Sequence, residues 1–267
     1  MSIKGSIGVK AAVMVFGGFQ KLTLLDYPDK TACTLFTQGC NFACPFCQNS
    51  GLIKTDEHIE KQSTKTFNDK EILEFLNTRK GLLDGVCISG GEPLIHDELE
   101  KFIEEAKSLG FLIKLDTNGS DPVKLEKLIK SGKIDHIAMD IKNSPKKYPI
   151  TIGEPEQKKP EQKKPIKFDI LQIEKSIDLL LNGSICYEFR TTVVREFHTK
   201  KDLIDIAHWL SGASPGTTGT VKYYLQKFID SENVLYKGLT SYSDRQMHVF
   251  ISEIKTILPG AELRGIQ

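Results

Sequence analysis

The chain has 267 residues, 39% of them hydrophobic and 27% charged, with 36 Lys and Arg against 35 Asp and Glu. This is the composition of an ordinary soluble globular protein with enough chain to bury a sizeable core. A formal charge of +1 leaves no electrostatic footprint for nucleic acid or an acidic membrane surface, so neither is expected as a partner. Six cysteines are too few for a disulfide-stapled scaffold.

The opening segment Val9 to Gly18 is apolar, with Lys4 and Lys10 near it. It lacks the clean apolar region and small-residue cleavage site of a signal peptide and runs on into the polar QKLTLLDYPDK. Residues 1–17 are expected to be an N-terminal extension to a domain covering 18–267, and Met14 is a second candidate start. No stretch approaches the roughly eighteen apolar residues of a membrane span, so a cytoplasmic location is expected.

From Thr31 onward short β-rich runs alternate with helical patterns. The predicted strands are Ala32–Thr37, Gly85–Ser89, Phe111–Thr117, His136–Asp140, Ser184–Val194 and Thr220–Leu225. The predicted helices are Asp69–Asn77, Asp97–Leu109, Pro122–Ser131, Ile170–Leu181, Lys200–Ser211 and Ser243–Leu258. In the second helix Leu99, Phe102, Ile103 and Ala106 recur at helical spacing before the stop at Gly110. Such alternation implies βαβ units and a parallel α/β sheet, either a partial barrel or an open doubly wound sheet. One segment interrupts the pattern. PEQKK at 155–159 repeats at 160–164, and residues 141–167 carry a net +5. A run this polar cannot bury a face, so 153–167 reads as a surface insertion, tolerated or partner-docking.

Three cysteines, Cys40, Cys44 and Cys47, stand at C-x3-C-x2-C spacing directly after the first strand. One loop can aim three thiolates at a single inorganic centre. No second cysteine pair exists to complete a common zinc site, and the arrangement suits an iron–sulfur cubane with one open iron. The alternatives are zinc with a distant fourth ligand and, behind it, free unliganded thiols. Cys33, Cys87 and Cys186 lie within apolar strands and read as small core residues.

Polar residues recur at later strand ends. Ser89-Gly90-Gly91-Glu92-Pro93 follows the second strand, where paired glycines admit a close backbone approach and Glu92 offers a carboxylate. Asp116-Thr117-Asn118-Gly119 ends the third and Asp140-Ile141-Lys142 the fourth. The fifth carries Arg190 and Thr192 on one face, with His198 beyond. Each alone reads equally well as a turn, a cap or a solvated residue. In a barrel all would gather on the rim where active sites sit.

CNFACPFC after one strand and SGGEP after the next resemble the radical S-adenosylmethionine (radical SAM) superfamily. From about Gly18 to Gly265 the resemblance narrows: GFQKLTLLDYPDK, FTQGCNFACPFCQN, GLLDGVCISGGEPL, IKLDTNGSDP, IAMDIKNSPKKY and YEFRTTVVREFH are similar to anaerobic ribonucleoside-triphosphate reductase activating proteins. These are relatives of the pyruvate formate-lyase activating enzymes. Departures are Gln48 where the family commonly has His, Asp29 where it has Gly, and the PEQKK repeat.

The resemblance implies a partial (β/α)6 TIM-like barrel. Cys40, Cys44 and Cys47 would hold a 4Fe–4S cluster whose open iron takes the amino and carboxylate groups of S-adenosylmethionine. Gly90, Gly91 and Glu92 would meet the methionine amino end. Asp116, Asn118, Asp140 and Lys142 would lie around ribose and methionine, and Ser89, Arg190 and His198 complete the cofactor-binding set. No side chain is expected to be catalytic beyond the cluster and its S-adenosylmethionine. A flavodoxin or ferredoxin would supply the electron, and the resulting 5′-deoxyadenosyl radical would take hydrogen from a glycine of the partner reductase. Auxiliary clusters are not expected. The alternatives are activation of another glycyl-radical enzyme, a small-molecule radical SAM reaction on a purine or nucleoside, and, in a different class, a zinc-binding interaction module.

Overall fold

The computed structural model describes residues 13–53, 65–153, 168–212 and 221–266. The PEQKK repeat, with the rest of the expected insertion after Gly153, lies outside the described residues. In chain order the elements are β1 (Val15–Thr23), β2 (Ala32–Thr37), β3 (Phe67–Asn68), α1 (Asp69–Asn77), β4 (Gly85–Gly90), α2 (Leu99–Ser108), β5 (Leu112–Thr117), α3 (Pro122–Lys130), β6 (His136–Asp140), α4 (Tyr148–Thr151), α5 (Ile170–Leu181), β7 (Cys186–Val193), α6 (Lys200–Gly212), β8 (Tyr223–Lys227), α7 (Asp244–Ile254) and β9 (Ala261–Arg264). They form a nine-stranded sheet in the order β3-β1-β2-β4-β5-β6-β7-β8-β9.

All six predicted strands are present, mutually parallel, and neighbours in chain order. Three strands are additional. β1 runs antiparallel to β2 and β3, and β9 extends the parallel set beyond β8. β1 begins at Val15, inside the segment expected to be an extension, and Met14 before it is buried. The sheet curls: Arg190 on β7 reaches past β6 to Asp116 on β5, and Arg264 on β9 passes β8 to grip Glu188 on β7 with two 2.7 Å bonds. The result is the expected α/β partial TIM-like barrel. Its bordering strands, β3 and β9, do not pair with each other.

Strand alternation divides the two faces of this sheet. Ile113, Leu115, Ile137, Met139, Phe189 and Leu225 point outward and make the apolar core beneath the helices. Those helices present matching stripes, such as Leu99, Phe102, Ile103 and Ala106 on α2. The concave face is polar instead, with Lys114, Asp116, Asp140, Glu188 and Arg190 meeting inside the barrel. Cys33 and Cys87 are buried as expected, Cys87 on the concave face with its sulfur 3.9 Å from the Lys114 ammonium. Cys186 departs from expectation. As the first residue of β7 it is exposed, because the strand is covered only from its second residue on. Among the described residues no helix is long and apolar enough to cross a membrane.

His136 closes the floor of the barrel. Among the described residues its Nε2 has no hydrogen-bond partner, and Glu188 lies 3.9 Å away. Burial pushes the imidazole down from 6.5 to about 4, against the pull of Glu188. The unfolded chain therefore binds a proton that the folded one refuses, and stability falls as pH drops from about 6.5 towards 4. Replacing His136 with Gln should flatten that decline when midpoints of urea unfolding are compared between pH 7 and pH 5. An equal decline in both proteins would contradict the assignment.

Candidate functional site

The cysteine loop leaves β2 and is pinned at its base by backbone. Gly39 N–H donates to Leu52 O at 2.7 Å, and Gly39 O accepts from Glu92 N–H at 2.9 Å. At Gly91 a Cβ would lie 1.8 Å from that same Gly39 oxygen. The second glycine of the SGGEP segment is thus required for the β4 end to pack beneath the cysteine loop, apart from any ligand. Further along, Ala43 N–H donates to Ile152 O at 2.9 Å. The segment before α7 reaches back over the loop, with Leu235 N–H on Cys47 O at 3.1 Å and Tyr236 N–H on Pro45 O at 2.9 Å. Gln48, at the position where the resemblance expects His, donates its side-chain amide to Ile229 O at 2.9 Å.

Behind this loop lies a cavity of about 220 Å³. Cys40, Cys44 and Cys47 line it, as do Ser89, Gly90, Gly91 and Glu92 from the end of β4. Asp116, Asn118, Asp140, Lys142 and Arg190 line it from β5, β6 and β7. The polar strand ends singled out in the sequence therefore meet at one place, with one exception. His198 does not line the cavity; it is buried behind it. Its Nε2–H donates to Lys142 O at 2.7 Å, and its Nδ1 accepts from Val194 N–H at 3.1 Å. Both ring nitrogens are occupied by backbone, and burial holds the imidazole pKa down. Its place is that of a neutral brace for the Lys142 main chain.

The charged groups form one chain. Lys114 pairs with Asp116; Arg190 bonds Asp116 at 3.2 Å and Asp140 at 3.0 Å; Lys142 bonds Asp140 at 2.9 Å. Burial alone would raise the Asp116 carboxyl, but Arg190 and Lys114 overcome it and hold the group at about 2. Asp140 is likewise lowered against burial by Arg190 and Lys142, and Lys142 is raised against burial by Asp140 and Cys44. Three cations alternate with two carboxylates, a formal charge of +1 beside the thiols. Lys114 is the member that sequence reasoning missed. Its signal was available, since Lys114 and Asp116 stand two apart on one strand and must share a face.

Glu92 is 1% exposed, and its carboxylate accepts from Leu94 N–H at 3.1 Å, Thr117 Oγ1–H at 2.6 Å and Asn118 N–H at 2.7 Å. Burial pushes it up to about 7 in spite of these donors. This carboxylate ties the β4 end to the β5 end. Replacing Glu92 with Ala strands three buried donors, which should cost about 2–4 kcal/mol in urea unfolding. A variant as stable as the parent would show that the three bonds carry no such weight.

Burial also raises the cysteines, Cys40 to about 12 and Cys44 to about 11, with Cys47 raised as well. The free thiols are neutral, and only a bound cationic centre would draw them out as thiolates. Among the described residues no group of three His, Cys, Asp or Glu side chains is arranged to hold a single metal ion. Three thiols on one loop beside a roomy polar cavity are a donor set that fits an iron–sulfur cluster with an open iron.

Residues 34–167 match the Radical SAM superfamily. A provisionally named glycyl-radical enzyme activating enzyme of Methanocaldococcus jannaschii is 36% identical over 192 residues, 71% of this chain and 72% of its own. Among solved structures, QueE from Escherichia coli superposes with a TM-score of 0.53 at 14% identity, covering 94% of this chain and 92% of its own. SuiB of Streptococcus suis bound to S-adenosylmethionine gives 0.61 at 12% identity over 86% of this chain. The chain spans about half the length of SuiB, 49%.

Proposed function

The chain belongs to the radical SAM superfamily, and from that premise we propose that it is an activating enzyme that generates a glycyl radical on a partner protein. The observation that carries the reading is the meeting of the cysteine loop with the ends of β4, β5, β6 and β7 at one polar cavity. The similarity to the activating-enzyme relative, which extends over about seven-tenths of both chains, supports the choice of substrate class.

In this reading Cys40, Cys44 and Cys47 hold a 4Fe–4S cluster, and the cavity beside them takes S-adenosylmethionine. When bound, such a cluster would supply the one electron needed for reductive cleavage of the S-adenosylmethionine sulfonium bond, the chemistry from which hydrogen abstraction at a glycine Cα would follow. The chain's own residues bind and orient. Gly90 and Gly91 bring main chain to the cavity wall. Asp116 and Asp140 offer carboxylate oxygens beside the ribose and amino groups of the cofactor. Lys142 and Arg190, fixed by those carboxylates, set the positive charge against the cofactor carboxylate. Ser89 and Asn118 add neutral hydrogen-bonding groups. His198 serves from behind, holding the Lys142 backbone. The segment from β1 to β9 is taken as a single catalytic domain.

The partner most in keeping with the sequence motifs is an anaerobic ribonucleoside-triphosphate reductase, with a flavodoxin or ferredoxin as electron donor. A pyruvate formate-lyase type partner is the nearest competitor.

Anaerobic reconstitution with iron and sulfide, then dithionite and S-adenosylmethionine, should yield 5′-deoxyadenosine and methionine in equal amounts. Replacing Cys44 with Ala should abolish cleavage while the circular dichroism spectrum stays that of the parent. Cleavage by the Cys44→Ala protein would contradict the ligand assignment.

A further inference from the structure

Most polar groups of the cavity are already engaged. Arg190 is divided between Asp116 and Asp140, and Lys142 is held by Asp140. Glu92 accepts three bonds; Asn118 donates to Asn41 at 2.9 Å, Asn49 to Gly90 O at 3.2 Å, and Gln48 to Ile229 O at 2.9 Å. Two lining side chains outside the expected cofactor set have no hydrogen-bond partner among the described residues: Thr192 on β7 and Gln226 on β8. They are paired in register on adjacent parallel strands, so they project from the same face side by side. β5 and β6 separate them from β4 and its glycines.

A carboxamide and a hydroxyl side by side offer donors and acceptors and no charge. That set matches the N–H and C=O groups of a peptide main chain. It suits a glycine segment in particular, since glycine presents main chain and no side chain. An anionic nucleotide would call for a cation at this place, and Thr192 and Gln226 carry none.

We propose that Thr192 and Gln226 hold the main chain of the partner's glycine segment in the cavity, and so select a peptide over a small charged substrate. The assignment rests on the glycyl-radical reading above. They are substrate-positioning residues with no part in cleaving the cofactor.

The test uses the reconstituted full-length protein and the anaerobic ribonucleotide reductase of the same organism, labelled with α-deuterated glycine. Deuterium recovered in 5′-deoxyadenosine reports hydrogen taken from glycine, and it is followed against reductase concentration. Losing one neutral hydrogen bond corresponds to roughly a fivefold change. Gln226→Leu and Thr192→Val should each raise the half-saturating reductase concentration by about that factor. Thr192→Ser, which keeps the hydroxyl, should behave as the parent. Iron content and the dissociation constant for S-adenosylmethionine should stay unchanged, which a merely structural role would not allow. If the parent transfers deuterium and the half-saturating concentration is the same in the Leu and Val variants, the assignment is overturned while the glycyl-radical reading stands. Equal loss of iron or of cofactor affinity in those variants also overturns it. If the parent transfers deuterium neither from the reductase nor from a pyruvate formate-lyase type enzyme labelled in the same way, the glycyl-radical reading fails and the assignment falls with it.

Discussion

The structure depends on one constraint: the concave face of the sheet is charged, and its charges must satisfy one another away from water. Lys114, Asp116, Arg190, Asp140 and Lys142 do so as one alternating chain across β5, β6 and β7. Removing Asp116 would leave Lys114, 1% exposed, without its carboxylate partner, at a cost of several kcal/mol. The chain also fixes strand order and curl, because Arg190 can bond Asp116 only if the sheet bends enough to bring β5 and β7 together. Stability of the barrel and shape of the cavity are therefore set by the same five side chains. Glu92 extends the principle to β4 through its three donors, and Arg264 with Glu188 extends it to β9.

The cysteine loop is held differently, by backbone. Gly39, Ala43, Pro45 and Cys47 each bond to segments remote in sequence, so the thiols sit on a loop braced from three sides. The division suits a site whose inorganic centre must be kept in place while the neighbouring cavity admits ligands. Fixed carboxylates and cations have no reorganisation to undergo when a charged cofactor arrives.

Much of this was legible in the sequence. The six parallel strands carry strong β-branched or apolar patterns, and α1, α5 and β6 have the predicted bounds. The additional strands gave weaker signals. β1 contains paired glycines and two register shifts, which hide its alternation; β3 is two residues long, and the AELR of β9 is neither β-branched nor aromatic. At the site, motif spacing pointed to the residues, while their roles depended on burial. Glu92 reads in sequence as a ligand carboxylate; it lines the cavity, where three internal donors hold it, two on Oε1 and one on Oε2. His198 reads as a rim residue, yet it braces Lys142 from behind. Gln226 fell one residue past the predicted end of its strand, so its inward register with Thr192 emerged only from the pairing of β7 and β8.

The central claim is that this cavity cleaves S-adenosylmethionine to place a radical on a glycine of another protein. Electron paramagnetic resonance of the reduced, reconstituted protein, mixed with S-adenosylmethionine and the anaerobic ribonucleotide reductase, tests it most directly. The account predicts a doublet glycyl radical on the reductase. A cluster signal that shifts with S-adenosylmethionine, but leaves neither the reductase nor a pyruvate formate-lyase type enzyme with a glycyl radical, would contradict it.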